Sequence, residues 1–562
     1  MKRFLAIFIL LVFLAIPAKK VFAFQPRVFV TLVNPVRDKY LWQDKEGLVK
    51  EASIVVSLKV NSTWLVQYGN LKDKSVTDIL KNLPSGQEVG LLLEVDENLA
   101  TDSQVPYLIG AGDWARPDKV FLSGYTPFER ERMIDVAFEK FRQVFGYYPK
   151  SVGAWYIDAV SLNYMSQKYK ISAVLDCSDQ YHTDKYGLWG QPWGTPYSPS
   201  KLNPLTPASR NGGLPLVVLQ WAQRDPVRGY GMTVNNSTYS VQANDYISHG
   251  LNTSYFGYLA RQYLFADNGL NQLTIGLETG MESVKYGDEL KRQIQYLLSY
   301  KSGAQVVFST MGDFASIFDK VQKNSDYSYF IESADYKNKG QHAYWYTSAY
   351  YRAGLLLDGD KLILRDLKTY GSNYTFSDIA AGDVSTVLKR FMPSCVDEAQ
   401  NKNSLTLLSY ITGIKSKREG SGIKLEVTGG QPGLEKKNIL ELKKEGVFLD
   451  GKEIFTTSMN YSIGEKLNNW LKQLVFAHYI GSYHKFSGGL RFADVGNVKY
   501  FGLMIGSDKL FGIKSTSPFF GEFSFPFQTL VRFRALPLID PYRVLSGYLV
   551  NEANKCRIKL SE

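Results

Sequence analysis

Acidic residues recur where apolar runs of this chain end. Val89–Val95 leads into Asp96 and carries Glu94, and Ser151–Ile157 closes on Asp158 just after Trp155. Leu216–Trp221 is followed by Arg224-Asp225, and Leu273–Leu277 by Glu278. The first run, Val28–Val33, passes into Asn34 and Arg37. Carboxylates gathered at strand ends suit general acid and base work, in which one group stays ionised while its surroundings keep another protonated. Taken singly, each fits equally well as a helix N-cap or a salt bridge at a strand-to-helix turn.

Other chemistries find little support. The histidines His182, His249, His342, His478 and His484 show no ligand spacing on a helix, and Cys177, Cys395 and Cys556 are too scattered for a cysteine zinc site or a disulfide framework. No Gly-x-Ser-x-Gly turn, phosphate-cradling loop or dinucleotide fingerprint occurs. The expectation is therefore a site without metal or cofactor.

Aromatic residues give a second signal. The loop from Tyr186 to Tyr197 places Trp189 and Trp193 among Gly and Pro. Such rings can stack on the CH face of a sugar, or the loop can fold onto itself as a small core, and the residues leave both open. Trp155 and Trp221, at two of the acidic strand ends, are further stacking candidates.

The elements that must position these groups are legible in the pattern. Eight short, continuously apolar runs, the last being Gln305–Ser309, alternate with helical stretches between residues 27 and 309. Continuous hydrophobicity marks strands covered on both faces, and the alternation predicts a parallel (β/α) barrel of seven or eight strands. In such a barrel the strand C-termini open on one face, so residues far apart in sequence can converge. The clearest helix is predicted to begin at Thr126-Pro127-Phe128-Glu129, a capping box with Pro in the first turn, and to stop at Gly146. Past about residue 325 the runs alternate, Tyr-rich and Gly-punctuated, which predicts antiparallel sandwich-like sheets interrupted by a helix over 464–477. The domains are thus a leader over 1–23, a barrel over 24–325 and a β-rich region over 326–562.

The chain has 562 residues, 78 of them aromatic, and 21% charged. That excludes a disordered protein. Lys2-Arg3, an apolar stretch from Phe4 to Ile16 and the small residues ending at Ala23 read as a secretory signal, with export to the cell envelope or medium. No later stretch is apolar enough to span a membrane. Net charge falls from +11 to +7 once Lys2, Arg3, Lys19 and Lys20 are removed. No basic cluster interleaves with aromatics, so nucleic acid is not an expected partner.

Across roughly residues 27 to 320 the order of motifs resembles the family-57 glycoside hydrolases and, more distantly, the polysaccharide deacetylase-like barrels. Val33-Asn34-Pro35 stands where that glycosidase family has His-Gln-Pro, and Gly90–Val95 matches its Gly-Gln-hydrophobic-Glu strand. Trp155–Asp158 is similar to its nucleophile motif, and Gly276-Leu277-Glu278 to its acid motif Asp-x-Glu. The departures are Asn34 for histidine, Asp158 at the nucleophile position and Gly276 at the acid position. The deacetylase pattern, an Asp-Asp pair after strand one and His-x-x-x-His on strand three, is absent.

The resemblance implies an exported protein acting on a polysaccharide or oligosaccharide. Asp158 would be nucleophile or base, and Glu278 or Asp225 the proton donor. Asn34, Glu94, Trp155, Trp189, Trp193, Trp221 and Arg224 would bind substrate. Arg224 would hold a carboxylate ionised or take an anionic sugar. The alternative is a non-catalytic glycan-binding or structural surface protein on a degenerate barrel.

Overall fold

The computed structural model describes residues 27–456 except 38–44, 108–115, 195, 202, 209–212, 301–304, 323–326, 338–339, 371–386, 393 and 431–434, and beyond 456 only short strands between 482 and 524. The expected leader over 1–23 and the helix over 464–477 lie outside the described residues.

All eight predicted runs are strands. They are β1 (Arg27–Val36), β2 (Ser62–Gln67), β3 (Gln87–Leu92), β4 (Ser151–Gly153) and β5 (Ala173–Cys177), followed after a hairpin, β6 (Gln180–Thr183) and β7 (Tyr186–Trp189), by β8 (Val217–Trp221), β9 (Gln272–Ile275) and β10 (Gln305–Ser309). The order β10-β1-β2-β3-β4-β5-β8 is parallel throughout, and β9 pairs in parallel with β1 as well. Between β8 and β9 a side chain continues the wall. Gln223 donates from Nε2 to the Gln272 carbonyl at 3.4 Å and accepts from the Thr274 amide at 2.9 Å, so the barrel is nearly closed.

Burial explains the unbroken apolar runs. Leu32, Trp64, Val152 and Val174 pack outward against helices, while Val33, Leu65, Leu92 and Leu175 fill the barrel interior. The helix Pro127–Phe145 begins as predicted: Thr126 Oγ1 accepts from the Glu129 amide and Glu129 answers to the Thr126 amide, while Gly146 ends it at φ 85°, a left-handed conformation that Gly adopts without steric cost.

Downstream, antiparallel strands form a six-stranded and a five-stranded sheet sharing a core of Tyr346, Tyr351, Leu355, Leu425 and Leu440. One strand crosses back. Leu388–Phe391 pairs in parallel with β7, adding to the hairpin that hangs from the barrel mouth.

Candidate functional site

The C-terminal ends of β1, β4, β5, β8 and β9 surround a cavity of about 360 Å³. Arg37 follows β1, Trp155 follows β4, Cys177 ends β5, Trp221 ends β8 and Glu278 follows β9, and all five line it. The remaining wall comes from the β6–β7 turn, which brings Asp184, and from two short helices after β8, which bring Thr238, Asn244 and Asp245. Ala222 enters the wall at φ 57°, a left-handed backbone that a non-Gly residue adopts at a cost and that marks a held geometry.

Arg37 organises the floor. Its Nη1 donates to Glu278 Oε2 at 2.7 Å and its Nη2 to Glu94 Oε1 at 2.5 Å, while the guanidinium lies 5.1 Å from the centre of the Trp155 ring. Glu94 is buried, and it reaches the site only through Arg37. Glu278 is poised: burial pushes its carboxyl up, Arg37 pulls it down, Glu94 and Asp184 push it up again, and the result is about 7. One helical turn on, Glu282 is pushed well above the usual carboxylate range by burial and by Glu278. It accepts from Asn244 Nδ2 at 2.6 Å and from the Glu278 amide at 3.3 Å.

One carboxylate and neutral oxygens hold Arg224. Its Nη2 donates to Gln180 Oε1 at 2.5 Å, its Nε to the Asp179 carbonyl at 3.3 Å, and its Nη1 lies 3.4 Å from Asp245 Oδ2. Burial raises Asp245 and Arg224 restrains it, leaving it at about 6. Trp155 and Trp221 meet 5.4 Å apart with a 40° tilt, which gives the cavity two indole walls.

The segment that carries Glu278 is locked from behind. A Cβ on Gly47 would come within 2.4 Å of the Gly280 nitrogen, so the helix Glu46–Leu58 approaches the start of the helix Met281–Leu298 as only Gly permits. At that contact the Ser283 hydroxyl touches both Glu51 Oε1 and the Glu278 carbonyl, the latter at 2.7 Å. Ser283 donates toward both acceptors as a three-centre bond. Glu51 is fully buried with its Oε2 unpartnered, and burial accordingly raises it well above the carboxylate range.

The structure brings together Trp155, Trp221, Arg224 and Glu278, with Glu94 one residue behind. It sends the other candidates elsewhere. Asp158 does not line the cavity: it caps the helix Ala159–Lys168 through the Ser161 amide at 3.0 Å and pairs with buried Arg130 at 2.9 Å, with both side chains essentially sealed from solvent. The pairing of Asp158 with Glu278 is therefore withdrawn. Asp225 holds its own loop, accepting from the amides of Val227 and Arg228 and from the Tyr255 hydroxyl at 2.9 Å. Asn34 donates to Ser62 and to the Thr63 carbonyl between β1 and β2. Trp189 and Trp193 are buried, yet not by the loop folding onto itself: Trp193 stacks on Trp345 at 4.1 Å and Trp189 on Tyr230 at 5.0 Å, both outside the loop.

Sequence reasoning missed Glu282, Asp245 and the organising role of Arg37. Glu282 had a signal, since it stands four residues after Glu278 at a helix start and so shares its face. Asp245 had none, because the excursion between β8 and β9 has no strand end to mark it. Gly276, at the acid position of the resemblance, has a physical cause: a Cβ there would lie 1.8 Å from the Val33 carbonyl oxygen. As for a metal, among the described residues no group of three or more His, Cys, Asp or Glu is arranged to hold one. Between Glu94 and Glu278 the cationic place is taken by Arg37.

Comparison with known proteins gives the following. No curated protein matches this chain. Among solved structures, a putative glycoside hydrolase/deacetylase from Parabacteroides distasonis shares 18% identity at a TM-score of 0.48, covering 66% of this chain and 89% of that one. A putative polysaccharide deacetylase from Mycobacterium smegmatis shares 14% at 0.31 over 52% and 90%. A family 4 acetyl xylan esterase from Clostridium thermocellum, in complex with a cobalt ion, shares 12% at 0.28 over 51% and 91%. A family model described as a domain of unknown function with solved structure, DUF3863, matches residues 121–337, the stretch that carries Trp155, Trp221, Arg224, Asp245 and Glu278.

Proposed function

We propose that the chain is an exported carbohydrate-active hydrolase whose barrel-mouth cavity cleaves a glycosidic bond of a polysaccharide or oligosaccharide. The observation that carries this reading is Glu278, a carboxyl held at about 7 on the wall of an indole-lined cavity. At neutral pH a large fraction of Glu278 carries a proton to give, while Asp245, at about 6, is mostly ionised. In one turnover Asp245 takes a proton from water as its oxygen attacks the sugar carbon, and Glu278 protonates the departing oxygen. Trp155 and Trp221 offer apolar faces to sugar rings, and Arg224 keeps Asp245 from becoming neutral. No step runs through a metal.

The test is a glycan panel presented to the purified chain, read both for binding and for release of reducing ends, with Glu278→Gln beside the parent. Loss of a proton donor should slow release by about 10²- to 10⁴-fold while leaving glycan binding and thermal midpoint nearly unchanged. Equal turnover by the variant would remove Glu278 from the role. Binding without release by the parent would instead favour a glycan-binding module on the same barrel.

A further inference from the structure

At the other end of the barrel, where β9 begins, a second cavity of about 380 Å³ opens between the barrel and the antiparallel region. Leu270 and Phe318 come from the barrel, Tyr327 and Tyr329 from the first strand after it, and Arg418 from the hairpin that ends at Gly420. Arg418 is the sole charged side chain among these lining residues.

Its setting is unusual for a half-buried guanidinium. Nε donates to the Asp267 carbonyl, Nη1 to Ser328 Oγ at 3.0 Å and Nη2 to Asn268 Oδ1 at 2.5 Å. Every one of those acceptors is neutral, and no carboxylate among the described residues forms an ion pair with it. The other arginines at buried junctions are different: Arg37 and Arg352 each sit between two carboxylates. Burial lowers the Arg418 pKa by more than the charge of nearby Asp267, which makes no ion pair with it, raises it, whereas the pKa values of Arg37 and Arg352 are raised. Independently, the hydroxyls of Tyr327 and Tyr329 are buried and have no hydrogen-bond partner. Such groups are costly unless something else satisfies them.

We infer that this cavity is a second binding site, for a one-ring sugar acid whose carboxylate neutralises Arg418 and whose ring packs against the tyrosines. Three features select that class. A fixed guanidinium prefers a planar carboxylate, with which it forms short charge-assisted bonds. Two tyrosines supply both an apolar face and unsatisfied hydroxyls for ring oxygens. The volume, at the small end of ligand cavities, admits one ring rather than a chain. The site does not depend on the reading of the barrel mouth, from which it is separated by the length of the strands.

The experiment is titration calorimetry of the full chain with galacturonate and glucuronate, with glucose and acetate as controls. The expected result is uronate binding that weakens at least tenfold in Arg418→Met, partly recovers in Arg418→Lys, weakens in Tyr327→Phe/Tyr329→Phe and is unchanged in Trp221→Leu, which removes a ring that the mouth offers to sugars. Glucose, which lacks the charge, and acetate, which lacks the ring, should each bind at least tenfold more weakly. No uronate binding by the parent, or equal binding by the parent and a folded Arg418→Met, would overturn the proposal. Loss of uronate binding in a folded Trp221→Leu alone would place the ligand at the barrel mouth and overturn it too. Should Arg418→Met fail to fold, the double tyrosine variant decides, because it removes only two oxygens.

Discussion

The seam between barrel and antiparallel region and the barrel mouth bury the same kinds of charge to opposite effect. At the seam Arg352 grips Asp366 with two nitrogens, at 2.8 and 2.9 Å, and Asp179 with the third at 3.0 Å, inside a cage of Trp189, Trp193 and Trp345. Lys368 pairs with Asp397, which also accepts from Trp189 Nε1 at 2.7 Å. Burial pushes Asp397 up, yet Lys368 and its other donors hold it below the usual carboxylate value. Asp179 still lies above its ordinary value, because burial outweighs Arg352 there. At the mouth, Arg37 is shared between two carboxylates while Asp184 adds further negative charge. Two cations set among three carboxylates keep the seam charges structural, whereas two among five carboxyl groups leave Glu278 and Asp245 titratable at working pH.

The sharpest way to break that contrast is Arg352→Met. It leaves Asp179 buried without a cation and Asp366 with only Lys368 at 3.6 Å, and the expected loss is about 3–5 kcal/mol in denaturant unfolding. A loss under 1 kcal/mol would mean that the seam charges are not structural.

The mouth answers to pH instead. If Asp245 must be ionised and Glu278 protonated, activity rises as pH passes about 6 and falls as it passes about 7, giving a narrow bell. A flat rate from pH 5 to 9 would separate catalysis from this pair.

The smallest effect is expected at Glu51→Gln. In the unfolded chain Glu51 releases its proton near pH 4, whereas in the folded chain it keeps it to much higher pH, so stability falls between those two values. Removing the titration should raise the thermal midpoint at pH 8 and leave it unchanged at pH 4. A rise that is equal at both pH values would mean that Glu51 is ionised in the fold.

The barrel was legible because a strand covered on both faces must be apolar throughout, and the eight barrel strands, β1 to β5 and β8 to β10, obey that locally. The capping box at Thr126 was legible for the same reason, since its partners stand three residues apart. The site was legible only in part. Asp158 and Glu278 look alike in sequence, each acidic and each closing an apolar run. What separates them is Arg130, 28 residues upstream on a neighbouring helix, which reaches Asp158 and not Glu278. Glu282 and Asp245 enter from a helix and from an excursion, and no strand-end rule finds those. The burial of Trp189 and Trp193 depends on Trp345 and Asp397, more than 150 residues away, so the loop's own composition could not decide it.

Gly276 bears on how this barrel could be redesigned. The main chain of β1 occupies the space that a side chain there would need, and the Trp221 ring closes in from the other side at 3.0 Å. An aspartate grafted at 276 would have to displace the main chain of β1, so this scaffold does not accept an acid at that position by one substitution. A donor with ready access to the cavity must come from the next turn of chain, where Glu278 and Glu282 stand. The chemistry open to the mouth is thus bounded by a backbone approach, and the freedom left to it lies in the residues just beyond.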